Sequence, residues 1–358
     1  MVSRPSATSP WLLGLLAVAM SVGCRSRKSR DEAPGDRAPT TDERRSLSLK
    51  PITVTRQKKT YEKPPELPRL HPVELLSAGT KPHKTIRYRL DETEREFTIT
   101  ANLETREYIG GAWSERKALP EVTIGLGLRR TGADNELWVV DIRGLLASTG
   151  AERTGERAGE AGGTADTRQA LDAFLTRYRA YLERRRAQLS LTDRGRPGKP
   201  ILTPDARMSD DRAHIANEMS QLLLESIVPL PEEPIGKGAR WRAVSLLYRG
   251  PSVVKQTAEY DLLTAAKGKM RLGVRITQIG EHQIIDAPEL KHGQRAELIA
   301  LFWQVTGELE LDPGVPTPVA GTLTSELRVH GRIVGARGNQ DYSLETTGPV
   351  KLRTSAAR

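Results

Sequence analysis

Across residues 84–142 apolar side chains keep returning at every second position, and that period of two restricts the stretch to strands with one buried face. Ile86, Tyr88 and Leu90 alternate with Arg87 and Arg89. Phe97, Ile99, Ala101 and Leu103 follow, then Val122, Ile124, Leu126 and Leu128, and Leu137, Val139, Val140 and Ile142 close the run. The chain returns to strand and turn from Trp241 onward, with strands expected at 240–247, 255–263, 269–279, 303–311, 321–329 and 341–352.

The middle of the chain reads differently. A Gly-, Glu- and Arg-rich stretch at 149–167 has almost no apolar content and is expected to be a loop. Leu171, Phe174, Leu175, Tyr178 and Leu182 then recur at intervals of three and four, which predicts an amphipathic helix over 166–188. A short hairpin through Asp193, Arg194 and Gly195 leads to a second helix, 209–228, with Ser209 as its cap and Asp210 and Asp211 in the first turn. Ile215, Met219, Leu222, Leu223 and Ile227 make its apolar face, and Pro229 ends it. Strands, helices and strands in that order predict an α+β fold: a curved antiparallel β-sheet, as one sheet or more, with two amphipathic helices packed on one face. Residues 84–352 are expected to form a single domain, with strands at 84–142, helices within 166–228 and strands at 239–352.

Ahead of this domain the sequence carries an address. One charge (Arg4), an apolar run from Trp11 to Val22 and the small residue Gly23 precede Cys24. That order is an export signal. The run falls far short of the ~20 residues that cross a bilayer as a helix. Met20-Ser21-Val22-Gly23-Cys24 resembles the bacterial lipobox, departing from it at Ser21, where Leu is usual. Residues 1–23 are therefore expected to be a lipoprotein signal peptide, and Cys24, the only cysteine in the chain, the site of lipidation. A thioether to diacylglycerol needs a nucleophilic sulfur, and acyl chains hold to the bilayer by about 0.8 kcal/mol per buried CH₂. The alternative is a cut nearby by an ordinary peptidase that leaves Cys24 incidental and releases the protein to the periplasm. Arg25 after the cysteine, in place of the Asp that commonly retains lipoproteins in the inner membrane, favours the outer membrane by resemblance to lipoprotein sorting rules.

Residues 24–83 are rich in Pro, Ser, Thr, Arg and Lys and bury too little to order themselves, so a disordered basic tether is expected. Its charge decides how the net +10 of the chain is read. Eleven basic and five acidic residues between Arg25 and Lys59 hold +6 of it, and Arg4 belongs to the signal. The domain is left close to neutral, which argues against nucleic acid as a partner. The tether suits anionic headgroups, at about 1 kcal/mol per cation near the surface, and suits equally a plain solvated linker.

Three segments carry a resemblance. Ile86-Arg87-Tyr88-Arg89-Leu90, Leu191-Thr192-Asp193-Arg194-Gly195 and the long run from Pro229 through Gly236-Lys237-Gly238 to Trp241 are similar to a domain of uncharacterised function found in bacterial envelope lipoproteins. A strand with Thr257, Tyr260 and Leu262 follows at the expected place. The resemblance implies a fold and an address, and it carries no catalytic residues across, because its motifs are turns and packing residues.

Chemistry is sparse. Histidines 71, 83, 214, 282, 292 and 330 fall in no metal-ligand spacing, so no metal site and no cofactor is expected. Gly125-Leu126-Gly127 lacks a third glycine, and Gly236-Lys237-Gly238 lacks the P-loop spacing and its Ser or Thr. Glu232 and Glu233, adjacent in an extended segment, point apart rather than converging as a glycosidase pair must. No enzyme is expected. Trp241 and Trp303 are either core or the lining of an apolar groove. The function expected is that of a lipid-anchored, non-enzymatic envelope protein binding an apolar ligand, such as a lipid, or an envelope protein partner. The alternative is a tethered structural or assembly scaffold with no small-molecule ligand.

Overall fold

The computed structural model describes residues 73–109, 111–119, 121–134, 137–149, 186–197, 225–249, 252–266, 268–285, 295–335 and 338–356. The strands in chain order are β1 (Glu74–Ser77), β2 (Arg95–Ala101), β3 (Glu104–Ile109), β4 (Ala112–Trp113), β5 (Lys117–Ala118), β6 (Val122–Asp134), β7 (Leu137–Thr149) and β8 (Arg186–Leu191). They continue with β9 (Arg240–Arg249), β10 (Ser252–Ala266), β11 (Lys269–Gly280), β12 (Gln283–Ile285), β13 (Arg295–Leu311), β14 (Ala320–Gly335) and β15 (Gly338–Ala356).

All of them join one sheet in the order β1-β9-β10-β11-β13-β14-β15-β2-β6-β7-β8, and every pairing is antiparallel. Three short strands lie off that path: β12 pairs with β13, and β4 and β5 pair with β3, which itself pairs with β15. The alternation of the sequence becomes the two faces of this sheet. In β10 the buried residues Val254, Ala258, Tyr260 and Leu262 share the inner face, while Lys255 and Asp261 are exposed on the outer one. Register carries that face across neighbours, pairing Tyr260 with Trp241 on one side and with Val274 on the other.

Trp241 of β9 and Leu191 of β8 stand near opposite ends of the strand order yet belong to one hydrophobic cluster with Phe97, Leu126, Leu272 and Leu311. The sheet is therefore curled around its inner face. Phe97, Leu126, Trp241 and Leu272 lie at 0% exposure there, and each apolar side chain of this kind gains about 1.5–3 kcal/mol by burial.

The α+β expectation is overturned. Seventy per cent of the described residues are in strands, and helical geometry is confined to Glu225 and Ser226. Arg186, Ala187 and Gln188, expected as the last turn of the first helix, pair with Arg143, Ile142 and Asp141 as part of β8. The physical reason is legible in retrospect: the helical stripe stops at Leu182, and Ala187, Leu189 and Leu191 recur at every second position. The remaining helix expectations, 166–185 and 209–224, lie outside the described residues. So do the signal, Cys24 and most of the expected tether, although β1 lies within 24–83 and pairs with β9.

A second correction concerns residues 86–90. Their burial alternates as a strand's would, with Tyr88 at 2% and Leu90 at 3% exposure, but they join no ladder. The Tyr88 N–H donates to Asp193 O (2.7 Å), the Arg89 N–H to Pro313 O (2.8 Å) and the Asp91 N–H to Gly314 O (3.4 Å). The segment crosses one end of the sheet instead of extending it.

Candidate functional site

At that end the three segments singled out in the sequence meet. Arg194, 8% exposed, places its guanidinium among main-chain carbonyls: Nη1 donates to Ile86 O (3.0 Å) and Pro231 O (2.5 Å), and Nη2 donates to Glu232 O (2.9 Å). The carbonyl of Arg194 accepts from the Leu230 N–H at 2.9 Å, and Asp193 pairs with Arg87 at 2.7 Å. The Tyr88 hydroxyl donates to Val228 O (3.0 Å), and the Trp241 indole N–H donates to Pro229 O (2.8 Å). Burial pushes the phenols of Tyr88 and Tyr260 far above their ordinary pKa, so both stay protonated. Lys84 and Ile235 exchange both main-chain bonds, and the Gly236 N–H donates to Ala78 O just beyond β1. The turn after β8 is thereby tied to the segments that flank β1 and β9, and the two margins of the sheet are joined.

Two glycines show how close the approach is. Gly195 adopts φ +70°, and a Cβ there would lie 2.7 Å from the Tyr88 ring. A Cβ on Gly236 would lie within a bond's reach of Thr80 O. This junction is a packed core, with no room for a ligand among Tyr88, Arg194, Leu230, Ile235 and Trp241. Beside it a shallow cleft with an interior of only about 10 Å³ is lined by Leu90, Asp91, Arg95, Leu128, Arg130 and Pro316. That is far below the roughly 300–1,000 Å³ of small-molecule sites.

The other half of the inner face is built differently. A ladder of polar contacts crosses it. Gln278 Nε2 donates to Gln256 Oε1 (2.6 Å), Trp303 Nε1 donates to Ser325 Oγ (2.7 Å), and the Thr346 hydroxyl meets that of Thr105 (3.3 Å). Beyond the ladder is a second apolar cluster, Leu298, Leu327, Val329 and Leu344, with Ile285, Leu301 and Trp303 packed on it. Leu301, Trp303, Ile333 and Tyr342 are only partly buried, so the inner face is less completely covered here than at the junction. Glu107 stands opposite Leu344 in the β3–β15 register, which puts it on this same face. Burial raises its carboxyl pKa, and Lys117 opposes the rise.

Trp241 and Trp303 are thus separated in role. Trp241 is at 0% exposure in the core, stacked on Tyr260 with ring centroids 5.5 Å apart. Trp303 packs on both apolar clusters and stands at the partly covered half. Glu107, Gln256, Gln278 and Ser325 were not anticipated. Their signal was a polar residue at an inward position of a period-two run, as in Val254-x-Gln256-x-Ala258. Among the described residues no group of three or more His, Cys, Asp or Glu is placed to hold a metal ion. Apolar walls crossed by a few fixed hydrogen-bonding groups suit noncovalent binding of an apolar molecule.

No family model matches the sequence, and no curated protein shows significant similarity to it. Among solved structures the chain is matched to an outer membrane channel from Pseudomonas putida F1 at 10% identity, over 75% of this chain and 98% of that one. The TM-score is 0.16, which establishes neither a shared fold nor a shared function.

Proposed function

We propose that this chain is a non-enzymatic envelope protein, exported and lipidated at Cys24, that holds an apolar ligand such as a lipid chain against the inner face of its sheet. The observation that carries the ligand reading is that Leu301, Trp303, Ile333 and Tyr342 stay partly exposed on the inner face beside the buried cluster of Leu298, Leu327, Val329 and Leu344, next to a ladder whose polar groups already have partners. The envelope reading rests on the lipobox-like segment ending at Cys24, on Arg25 for the outer membrane, and on the resemblance to envelope lipoprotein domains.

Two experiments test the two halves. Replacing Cys24 with Ala should release the protein from the membrane fraction of a bacterial host, and unchanged membrane association would remove the anchor. A fluorescent fatty acid should bind the full chain and be displaced by phospholipid. Trp303→Ala should weaken that binding by roughly tenfold, the loss of about 1.4 kcal/mol of contact. Equal binding by the Trp303 variant would take the ligand away from this patch, and no binding by the parent would favour a tethered scaffold without a ligand.

A further inference from the structure

The outer face of the sheet carries several closed ion pairs. Arg240 meets Asp261 at 2.9 Å, Arg242 meets Glu74 at 2.6 Å, Lys269 meets Glu310 at 2.9 Å, Arg271 meets Glu308 at 2.5 Å and Arg332 meets Asp341 at 2.6 Å. One row departs from this pattern. Read across the register from β9 to β14 it runs Leu246, Lys255, Ile279, Phe302, Arg328. Leu246, Ile279 and Phe302 are exposed on it by 39%, 47% and 36%, and Ile279 and Phe302 are directly opposed. Val253 and Ile284, also exposed, lie at the same end of the sheet. Lys255 and Arg328, interleaved with these apolar side chains, make no ion pair among the described residues. Of the acids near the row among the described residues, Glu297 is matched by Arg295 at 2.7 Å and by His282 at 3.6 Å, and Glu345, opposite Arg328 in the register, is matched by Arg106 and Arg116.

We infer that this row is a docking surface for an anionic lipid bilayer. Four strand spacings give the row a length of roughly 20 Å, enough to rest on a membrane with its apolar side chains among the headgroups. The unpaired cations face the same way as the apolar residues, which is the arrangement an anionic interface attracts. The row lies on the opposite face from the proposed ligand patch. It needs neither that ligand nor the acyl anchor, and it would bring the partly covered half of the sheet to the membrane surface.

The test uses the full chain carrying Cys24→Ala, which removes the acylation site and the only cysteine. Flotation with vesicles of phosphatidylcholine plus phosphatidylglycerol, against phosphatidylcholine alone, reads the binding. All variants share the same amino-terminal segment, so differences between them report the row. Ile279→Ser with Phe302→Ser should weaken binding about tenfold. Lys255→Gln with Arg328→Gln should weaken it roughly fivefold per cation and flatten its salt dependence. In a separate arm, a polarity-sensitive dye on Phe302→Cys should shift to the blue on the mixed vesicles, while the same dye on Thr322→Cys, also outward-facing, should not. This arm holds even if the serine variant folds poorly. Unchanged affinity in both folded variants, or a dye at 302 that stays in water on bound vesicles, would overturn the inference. So would a lipid-independent dimer that the serine variant abolishes while vesicle binding persists, which would give the row to a second copy of the chain.

Discussion

Arg194 is the side chain on which most of the junction converges. Its three main-chain acceptors come from two different segments, and all lose this donor if the guanidinium is removed, Pro231 O in a buried setting and Ile86 O and Glu232 O in partly buried ones. Arg194→Ala is expected to cost about 3 kcal/mol or more in urea unfolding, with Arg194→Lys recovering only part because an ammonium cannot present the planar fork. Tyr88→Phe should cost about 1–2 kcal/mol through the orphaned Val228 carbonyl. Gly195→Ala should cost about 2 kcal/mol, since the new Cβ strains a positive φ and meets the Tyr88 ring. Glu107 acts in the opposite sense. Its carboxyl titrates above the ordinary Glu value because burial disfavours the anion. The folded state therefore holds its proton to higher pH than the unfolded chain does, and the ionised group is a liability above the folded pKa. Glu107→Gln should raise stability at neutral pH, and the gain should vanish as pH falls below the unfolded value near 4.5, as thermal melts across pH would read. A gain that persisted in acid would show that packing rather than charge is responsible.

At the scale of elements, much of the sheet was legible and the reasons are specific. The run 269–279 reads as Met270, Leu272, Val274 and Ile276 against Lys269, Arg271 and Arg275, and β11 is that run with one residue more. The reading was weaker where periodicity and pairing part company. Residues 86–90 alternate because one side faces the core, yet their main chain bonds to turns, and a pattern of side chains reports burial rather than a ladder. The junction was visible as three motifs but not as one object, since convergence over more than a hundred residues leaves no local trace. Of the candidate site, Trp303 is legible in the sequence as an aromatic opening a strand, whereas Glu107 and the Gln256–Gln278 pair are hidden as polar interruptions of otherwise apolar faces. Burial and pairing also set an expected order of opening. Amides in β10, β11, β13 and β14, each paired on both sides, should exchange slowest with deuterium, and those of β1, a four-residue strand at the margin, fastest. Equal protection of β1 would mean that the margin is held more firmly than its single pairing indicates.

On the scale of the whole molecule, one continuous antiparallel sheet is curled so that strands distant in its order share a core. One end of the inner face is sealed by the junction, and the other keeps Leu301, Trp303 and Tyr342 partly exposed. The sealed end accounts for the buried Trp241, and the less covered end is where a ligand would lie. Opening the seal should affect the whole, because the junction joins both margins: Gly236→Val, forced against Thr80 O, should broaden the unfolding transition and lower its midpoint together. The central claim is that the partly covered half holds an apolar molecule. Native mass spectrometry of the full chain purified from bacterial membranes, with organic extraction of the same sample, tests it most directly. A lipid-sized adduct released on denaturation, and depleted in Trp303→Ala, is the expected result; a protein that carries nothing and stays unchanged after incubation with envelope phospholipids would contradict it.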